Sequence, residues 1–289
     1  MVPAVLPVGE ALAPAKVNLF LHVGPPAADG YHPLASLVVF ADVGDHLTAT
    51  PAGTLSLSVT GPFSAGLDGD NLILKALRDL GSPPLAITLD KRLPIAAGLG
   101  GGSSDAGAAL RLTRAFDPDL TDADLLRAAA VVGADGPMCL FPRAAWAQGR
   151  GDVLTPEPKL PPLHALLVNP GVPSPTGPVY RAYDAAARGE ADCPPPPADW
   201  STAGVIAWLA DQRNDLEGPA TGLNPAIGEA IAAVAGTSGV SLARMSGSGA
   251  TVFGLCPDAD AAQAAAAALS AAHPDWWIQP CVLGNGPFV

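Results

Sequence analysis

Lysine is nearly missing from this sequence. Only Lys16, Lys75, Lys91 and Lys159 occur in 289 residues, although alanine, glycine and proline abound and arginine outnumbers lysine. Where arginine has largely displaced lysine, a surviving lysine marks a need for its compact ammonium, and Lys16 is weighed on that basis. Cysteine is also sparse: Cys139, Cys193, Cys256 and Cys281 show no C-x-x-C pair and no metal-ligand spacing. That excludes a disulfide framework and reads as free thiols in a reducing compartment. Cations are short overall, since 15 Lys and Arg against 27 Asp and Glu leave a net charge of −12. Such a surface repels phosphate backbones, so nucleic acid is not expected as the main partner, while a local positive site for a nucleotide stays open. No apolar stretch reaches the ~18 residues of a membrane span. No basic leader runs into an apolar segment and cleavage site. We therefore expect no membrane association and a cytoplasmic protein.

A charged fraction of 15% beside 49% hydrophobic residues excludes disorder and leaves ample material for a core. The 32 glycines and 32 prolines follow no short period, which excludes collagen-like and repeat architectures. The first ~65 residues read as β-rich, with short apolar runs at Lys16–Val23, Leu34–Ala41, Asp45–Thr50 and Leu55–Thr60. Asp70–Leu80 has helical spacing and ends at Gly81. Leu85–Leu89 returns to strand, a helix opens at about Ser103, and Asp122–Val132 is a helix with Thr121 as N-cap. The middle of the chain reads as loop-rich. Pro156–Pro162 looks like a connection between domains, and Leu163–Val168 like a buried strand. Cys193–Trp200 reads as a rigid polyproline surface spacer. Helices at Pro225–Val234 and Ala259–Ala272 alternate with strands at Ser241–Arg244, Thr251–Leu255 and Trp276–Leu283. Strand blocks with interspersed helices predict an α+β protein.

The most informative segment is Leu93-Pro-Ile-Ala-Ala-Gly-Leu-Gly-Gly-Gly-Ser-Ser-Asp105, between a strand and a helix. Glycine lets backbone approach a ligand and adopt positive φ. Unpaired N–H groups and the dipole at a helix start favour an anion. A polyphosphate is the natural occupant; a flexible turn with a serine N-cap is the bland alternative. A Walker loop fails because position 103 is Ser and no Lys follows. A dinucleotide fingerprint fails because Ser103 stands at its third glycine.

Other segments are ambiguous one at a time. Lys16 and Asn18 share one face of a strand, where Lys16 fits either a solvated edge or a functional cation. Asp135, in Gly133-Ala-Asp-Gly-Pro137, fits a helix-end residue or a general base. Met245-Ser-Gly-Ser-Gly249 fits a tight hairpin or a second wall near a phosphate, and Tyr31-His32 a loop anchor or a base-stacking pair. Asn214-Asp-Leu-Glu217 fits a capping motif or a site-facing cluster.

Taken together and in order, Ala15–Asn18, Gly30–His32, Gly98–Asp105, Gly133–Asp135 and Met245–Gly249 resemble the GHMP kinases. PAKVNLFLHV, GYHPL, GLGGGSSDA, NDLE and MSGSGA are most similar to the subfamily acting on 4-diphosphocytidyl-2-C-methyl-D-erythritol, over residues 14 to about 255. The resemblance implies a two-lobed fold: a ribosomal S5-like ATP-binding lobe (residues 1–160) and a ferredoxin-like substrate-binding lobe (161–289). It implies ATP-dependent phosphorylation of the 2-hydroxyl of that CDP-linked substrate, a step of non-mevalonate isoprenoid synthesis. Lys16 and Asp135 take the catalytic positions. Pro94, Gly98, Leu99, Gly100, Gly101, Gly102, Ser103 and Ser104 would hold ATP. Asn18, Tyr31, His32, Thr176 and Tyr180 would hold substrate, with the base sandwiched by Tyr31 and Tyr180. Mg²⁺ is implied without assignable protein ligands, and neither oligomeric state nor the roles of Asn214 and Asp215 are given. The sequence departs from the family pattern at Gly136-Pro-Met-Cys139 and at Gly177-Pro178. The rival readings are a different GHMP kinase, a silent ATP-binding regulator on the same scaffold, and a nucleotide-dependent oxidoreductase.

Overall fold

The computed structural model describes residues 9–65, 67, 71–185 and 189–285. The described residues form, in order, β1 (Gly9–Val23), β2 (Leu34–Pro51), β3 (Ser56–Thr60), α1 (Leu72–Leu80), β4 (Leu85–Asp90), α2 (Gly101–Thr113), α3 (Asp122–Ala130), α4 (Gly136–Leu140), β5 (Ala145–Gly149), β6 (Val153–Pro156), β7 (Leu163–Asn169), α5 (Thr176–Asp184), α6 (Thr202–Ala210), α7 (Glu217–Leu223), α8 (Pro225–Ala235), β8 (Leu242–Met245), β9 (Val252–Leu255), α9 (Ala259–Ala272) and β10 (Trp277–Gly284). The helix expected from Asp70 begins at Leu72; Asp70 itself lies outside the described residues.

One mixed sheet holds the molecule together, ordered β3-β4-β2-β10-β7-β9-β8. β1 and β5 also pair with β2, and β6 with β5. The pairs are antiparallel except β3 with β4. β2 was expected as two strands because Asp42 and Gly44 interrupt its apolar run. It continues because a Cβ at Gly44 would lie 2.1 Å from Ala13 O, so only glycine lets β1 pass there. β1 shifts register between Pro14 and Lys16 and between Asn18 and Phe20. Proline, which cannot donate to a ladder, is tolerated at such a bulge.

α1, α2 and α3 pack on β2 and β4 around Leu47, Ile73, Leu77, Ile87, Leu110 and Leu125. α8 and α9 pack on β7, β9 and β10 around Leu166, Val168, Val252 and Leu269. Local chemistry sets the helix limits as expected. Gly81 ends α1 in the left-handed region, and Thr121 and Asp124 close a capping box on α3.

The middle of the chain is not loop-rich. It contains the β5–β6 hairpin, α5 and α6. Pro178 stands in the first turn of α5, where its missing N–H has no intrahelical partner to lose. The polyproline segment is no free spacer either. Pro195 O accepts from Trp208 Nε1 of α6 at 3.0 Å, and Pro197 is buried.

Candidate active site

The glycine loop joins β4 to α2, and its backbone is fixed from outside. Ala96, Gly98 and Gly100 all have positive φ, and a Cβ at Gly98 would sit 2.3 Å from Ser246 O. Each carbonyl from 96 to 100 has an internal donor. Ser174 N donates to Ala96 O at 3.3 Å, Thr251 N to Ala97 O at 3.0 Å, Lys16 N to Leu99 O at 2.8 Å and Ser104 N to Gly100 O at 2.9 Å. Ser246 Oγ donates to Gly98 O at 3.0 Å. With carbonyls turned into the protein, the N–H groups of Gly101, Gly102 and Ser103 at the α2 start have no intrahelical acceptor and stand beside a cavity of about 960 Å³.

Pro94, Gly98, Leu99, Gly100, Gly101, Gly102 and Ser103 line that cavity. Ser104 requires a correction. Its hydroxyl donates to Pro14 O at 2.8 Å, its N–H to Gly100 O, and it is fully buried, so it fastens α2 to β1 and has no donor to offer a phosphate.

Lys16 and Asp135 come together across Gly100. Lys16 Nζ is 3.5 Å from Asp135 Oδ2 and donates to Asn18 Oδ1 at 2.9 Å. A Cβ on Gly100 would lie 3.2 Å from Lys16 Cβ and 3.8 Å from Asp135 Oδ2, so glycine opens the approach to the pair. Asp135 occupies the N-cap position of α4 but makes no side-chain capping bond, which leaves its carboxylate uncommitted to the helix. Asn18 Nδ2 donates to Ser36 Oγ at 2.8 Å, and Ser36 donates to Phe20 O. Asn18 is thereby oriented toward Lys16 and keeps one amide hydrogen and one lone pair for a ligand.

The motif left without a role now has one. Asn214 Nδ2 donates to Met245 O and Gly247 O, each at 2.8 Å, and Asp215 Oδ2 accepts from Val23 N at 2.8 Å. These two side chains clamp the second glycine–serine turn to the end of β1. That turn meets the first loop through Ser246, whose Oγ also accepts from Asn18 N at 3.2 Å.

At the other end of the cavity stand Tyr31, His32, Thr176 and Tyr180. His32 Nε2 lies 2.8 Å from Asp184 Oδ1, and its ring packs on Tyr180 at 4.8 Å between centroids. Thr176 Oγ1 is 3.0 Å from Ser248 Oγ. Burial, then the charge of Asp135, pushes the Tyr180 hydroxyl up to about 12, so it stays protonated near neutrality. Tyr31 is 58% exposed and carries the Arg150 guanidinium 4.3 Å above its ring. Arg150 also pairs with Asp29. Tyr31 and Tyr180 both line the cavity.

Sequence reasoning passed over a buried cluster under the loop. Lys91 Nζ contacts Asp45 Oδ2 at 2.5 Å and Asp105 Oδ2 at 2.6 Å, and Asp45 Oδ1 accepts from Arg92 N and Leu93 N. Lys91 and Asp105 both line the cavity. The signal was present: Lys91 is one of four lysines and stands two residues before the glycine segment. Arg150 gave no such signal, because only the β5–β6 turn brings it over Tyr31.

The family model described as GHMP kinases N terminal domain matches residues 71–143, and that described as GHMP kinases C terminal matches 205–275. The 4-diphosphocytidyl-2-C-methyl-D-erythritol kinase of Caulobacter sp. (strain K31) is 54% identical, over 96% of this chain and 99% of its own length. The protein of the same name from Dinoroseobacter shibae is 50% identical, over 94% and 93%. A crystal structure of a 4-(cytidine 5'-diphospho)-2C-methyl-D-erythritol kinase superposes with a TM-score of 0.77 at 37% identity, covering 96% of this chain and all of that one. A homoserine kinase from Cytophaga hutchinsonii superposes with a TM-score of 0.67 at 17% identity, which speaks to the fold alone. The chain belongs to the GHMP kinases and, within them, to the family of the 4-diphosphocytidyl-2-C-methyl-D-erythritol kinases.

Proposed function

We propose that this chain transfers the γ-phosphoryl group of ATP to the 2-hydroxyl of 4-diphosphocytidyl-2-C-methyl-D-erythritol. The observation that carries the reading is the Lys16–Asp135 pair, 3.5 Å apart, beside a glycine loop whose carbonyls are all turned inward. The loop amides and the α2 dipole hold the β-phosphate and favour its charge. Asp135 takes the proton of the substrate hydroxyl as that oxygen bonds to the γ-phosphorus, and the bond to the β-phosphate oxygen breaks to release ADP. Lys16 offsets the negative charge that gathers between them. Asn18 orients Lys16 and meets the methylerythritol. Tyr31 and Tyr180 flank the cytosine and His32 binds its edge, with Thr176 at the same wall. In this reading residues 1–160 supply the ATP loop and 161–289 the Thr176 and Tyr180 side of the substrate cleft.

Among the described residues no group of three or more His, Cys, Asp or Glu side chains converges to cage a metal. Mg²⁺ bound with the nucleotide would neutralise charge on its phosphates. No ligand of this chain is assigned to it, and no step above runs through it. Among the described residues no helix is long and apolar enough to cross a membrane.

The test is a coupled ADP-release assay with Mg·ATP and the CDP-linked substrate, run beside homoserine and mevalonate. Turnover confined to the CDP-linked substrate supports the reading. Turnover with a control alone overturns the roles given to Tyr31, His32 and Tyr180. Silence with all three, in protein that binds ATP, favours a regulator.

A further inference from the structure

Asp135 sits at the start of α4, a helix of five residues. A helix this short does not hold its own shape in water, because nucleation is costly and few bonds repay it. Its last carbonyls have no intrahelical donor. The orientation of the carboxylate therefore depends on what grips α4 from outside.

Arg111 of α2 supplies that grip. Its Nη1 donates to Cys139 O at 3.1 Å and to Leu140 O at 3.0 Å, the final turn of α4. Its Nη2 donates to Leu12 O of β1 at 2.7 Å, two residues before Pro14, where the bulge that precedes Lys16 begins. Ser104, seven residues earlier and so on the same face of α2, donates to Pro14 O on that bulge. Gly107 lies between them, and a Cβ there would come within 2.4 Å of Cys139 O, so α2 and α4 touch backbone to backbone. One guanidinium thus ties the helix that opens at the phosphate loop to the strand that carries Lys16 and the helix that carries Asp135. Only a planar fork with several donors can reach three carbonyls on two elements.

The arrangement is costly. Among the described residues no carboxylate lies within ion-pair distance of Arg111, and burial pulls its guanidinium down to about 10. A desolvated cation facing only carbonyls is a poor source of stability compared with an apolar side chain of equal size.

We infer that Arg111 is a positioning residue for phosphoryl transfer, holding Asp135 and Lys16 in register with the phosphate loop. The inference rests on the reading of Asp135 as the base, and it separates from that reading by experiment. The full-length wild type, Arg111→Lys and Arg111→Met are compared by steady-state kinetics and urea unfolding, each also in an Asp135→Asn background. The expected result is a fall in kcat of roughly 10- to 100-fold in Arg111→Met, the size expected when a base is misplaced by about an ångström. Arg111→Lys should recover part of the loss. The KM for ATP and for the CDP-linked substrate should stay within about threefold, because the loop amides and the aromatic wall are untouched. With Asp135 already replaced, removing Arg111 should cost clearly less than it does in the wild type, since the hold on that carboxylate no longer counts and only the hold on the Lys16 strand is left to lose. A folded Arg111→Met with wild-type kcat overturns the inference, as does a loss that adds in full to that of Asp135→Asn. Failure of both Arg111 variants to fold assigns the residue to stability and overturns it as well. Absence of turnover in the wild type overturns the kinase reading instead.

Discussion

Under the phosphate loop two carboxylates share one ammonium. Asp45 is fully buried and accepts two backbone N–H bonds besides its contact with Lys91. Asp105 Oδ2 accepts from Lys91, and its Oδ1 is buried with no hydrogen-bond partner. Burial, with Asp45 nearby and Lys91 opposing, pushes Asp105 from its ordinary 3.8 up to about 8. The folded chain then keeps a proton that the unfolded chain has released between about pH 4 and pH 8. By linkage, stability is lost as pH rises through that window. Lys91 is held above its ordinary value, so its own titration falls at higher pH. Urea midpoints at pH 5 and pH 8 should therefore drop further in the wild type than in Asp105→Asn. Equal drops would show that Asp105 carries no such proton. If Asp135 is the base, as proposed, Asp135→Asn should lower kcat by about 10²–10⁴, with ATP binding by calorimetry unchanged. Near-normal turnover would remove Asp135 from the mechanism. Residues of this kind differ in how far sequence exposes them. Lys16 and Asp135 are each ambiguous alone, and only the resemblance of the ordered motifs to the family singles them out as a pair. Ser104 stands in one of those motifs and misleads, because nothing along the chain announces that Pro14 O, ninety residues away, takes its hydroxyl hydrogen.

Elements were legible where their limits are set by neighbours in sequence. Gly81 on α1 and Thr121 on α3, both read from the sequence, act within four residues. Elements set by distant partners were not. β5 is a strand because it pairs with β2 over a hundred residues earlier, and α6 sets Val205 and Leu209 on the core and Trp208 against Pro195, with Ala203, Ala207 and Ala210 outside. The phosphate loop shows both kinds of control side by side. Gly98 combines positive φ with a Cβ position 2.3 Å from Ser246 O and 2.9 Å from Gly249 N, so a methyl group there must displace backbone. Gly102 lies in the first turn of α2, where a Cβ meets only Leu72 Cδ1 at 3.2 Å, the movable end of a side chain. Gly98→Ala should destabilise by at least about 1–3 kcal/mol, the range for forced overpacking, and weaken ATP binding. Gly102→Ala should stay within about 1 kcal/mol of wild type, because the helix propensity gained offsets the small repacking. Chemical denaturation of both variants checks the pair. Equal losses would mean that the loop is shaped by its own flexibility and not by the Ser246–Gly249 turn.

At the scale of the molecule, the two halves are stitched in both directions. The last strand, β10, leaves the C-terminal half to lie between β2 and β7, pairing Leu283 with Ala41 on one side and Leu283 with Leu163 on the other. Arg244, which is buried, donates to Leu19 O of β1 and to Leu209 O and Gln212 O around α6. Asn18 and the phosphate loop both bond to Ser246. Neither half can open without uncovering buried backbone groups of the other, at a cost of about 1–3 kcal/mol for each bond left unmade. Equilibrium unfolding in urea should therefore be a single transition, coincident by tryptophan fluorescence and far-ultraviolet circular dichroism. Truncation before β10 should abolish the native transition of the remaining chain and not merely shift its midpoint. Two separated transitions in the full chain, or a cooperative fold in the truncated one, would mean that the halves are independent. The site would then be assembled by docking of two finished lobes. A single transition makes the cleft part of one cooperative unit, in which the distance from Lys16 to Asp135 is set by the same contacts that hold the sheet.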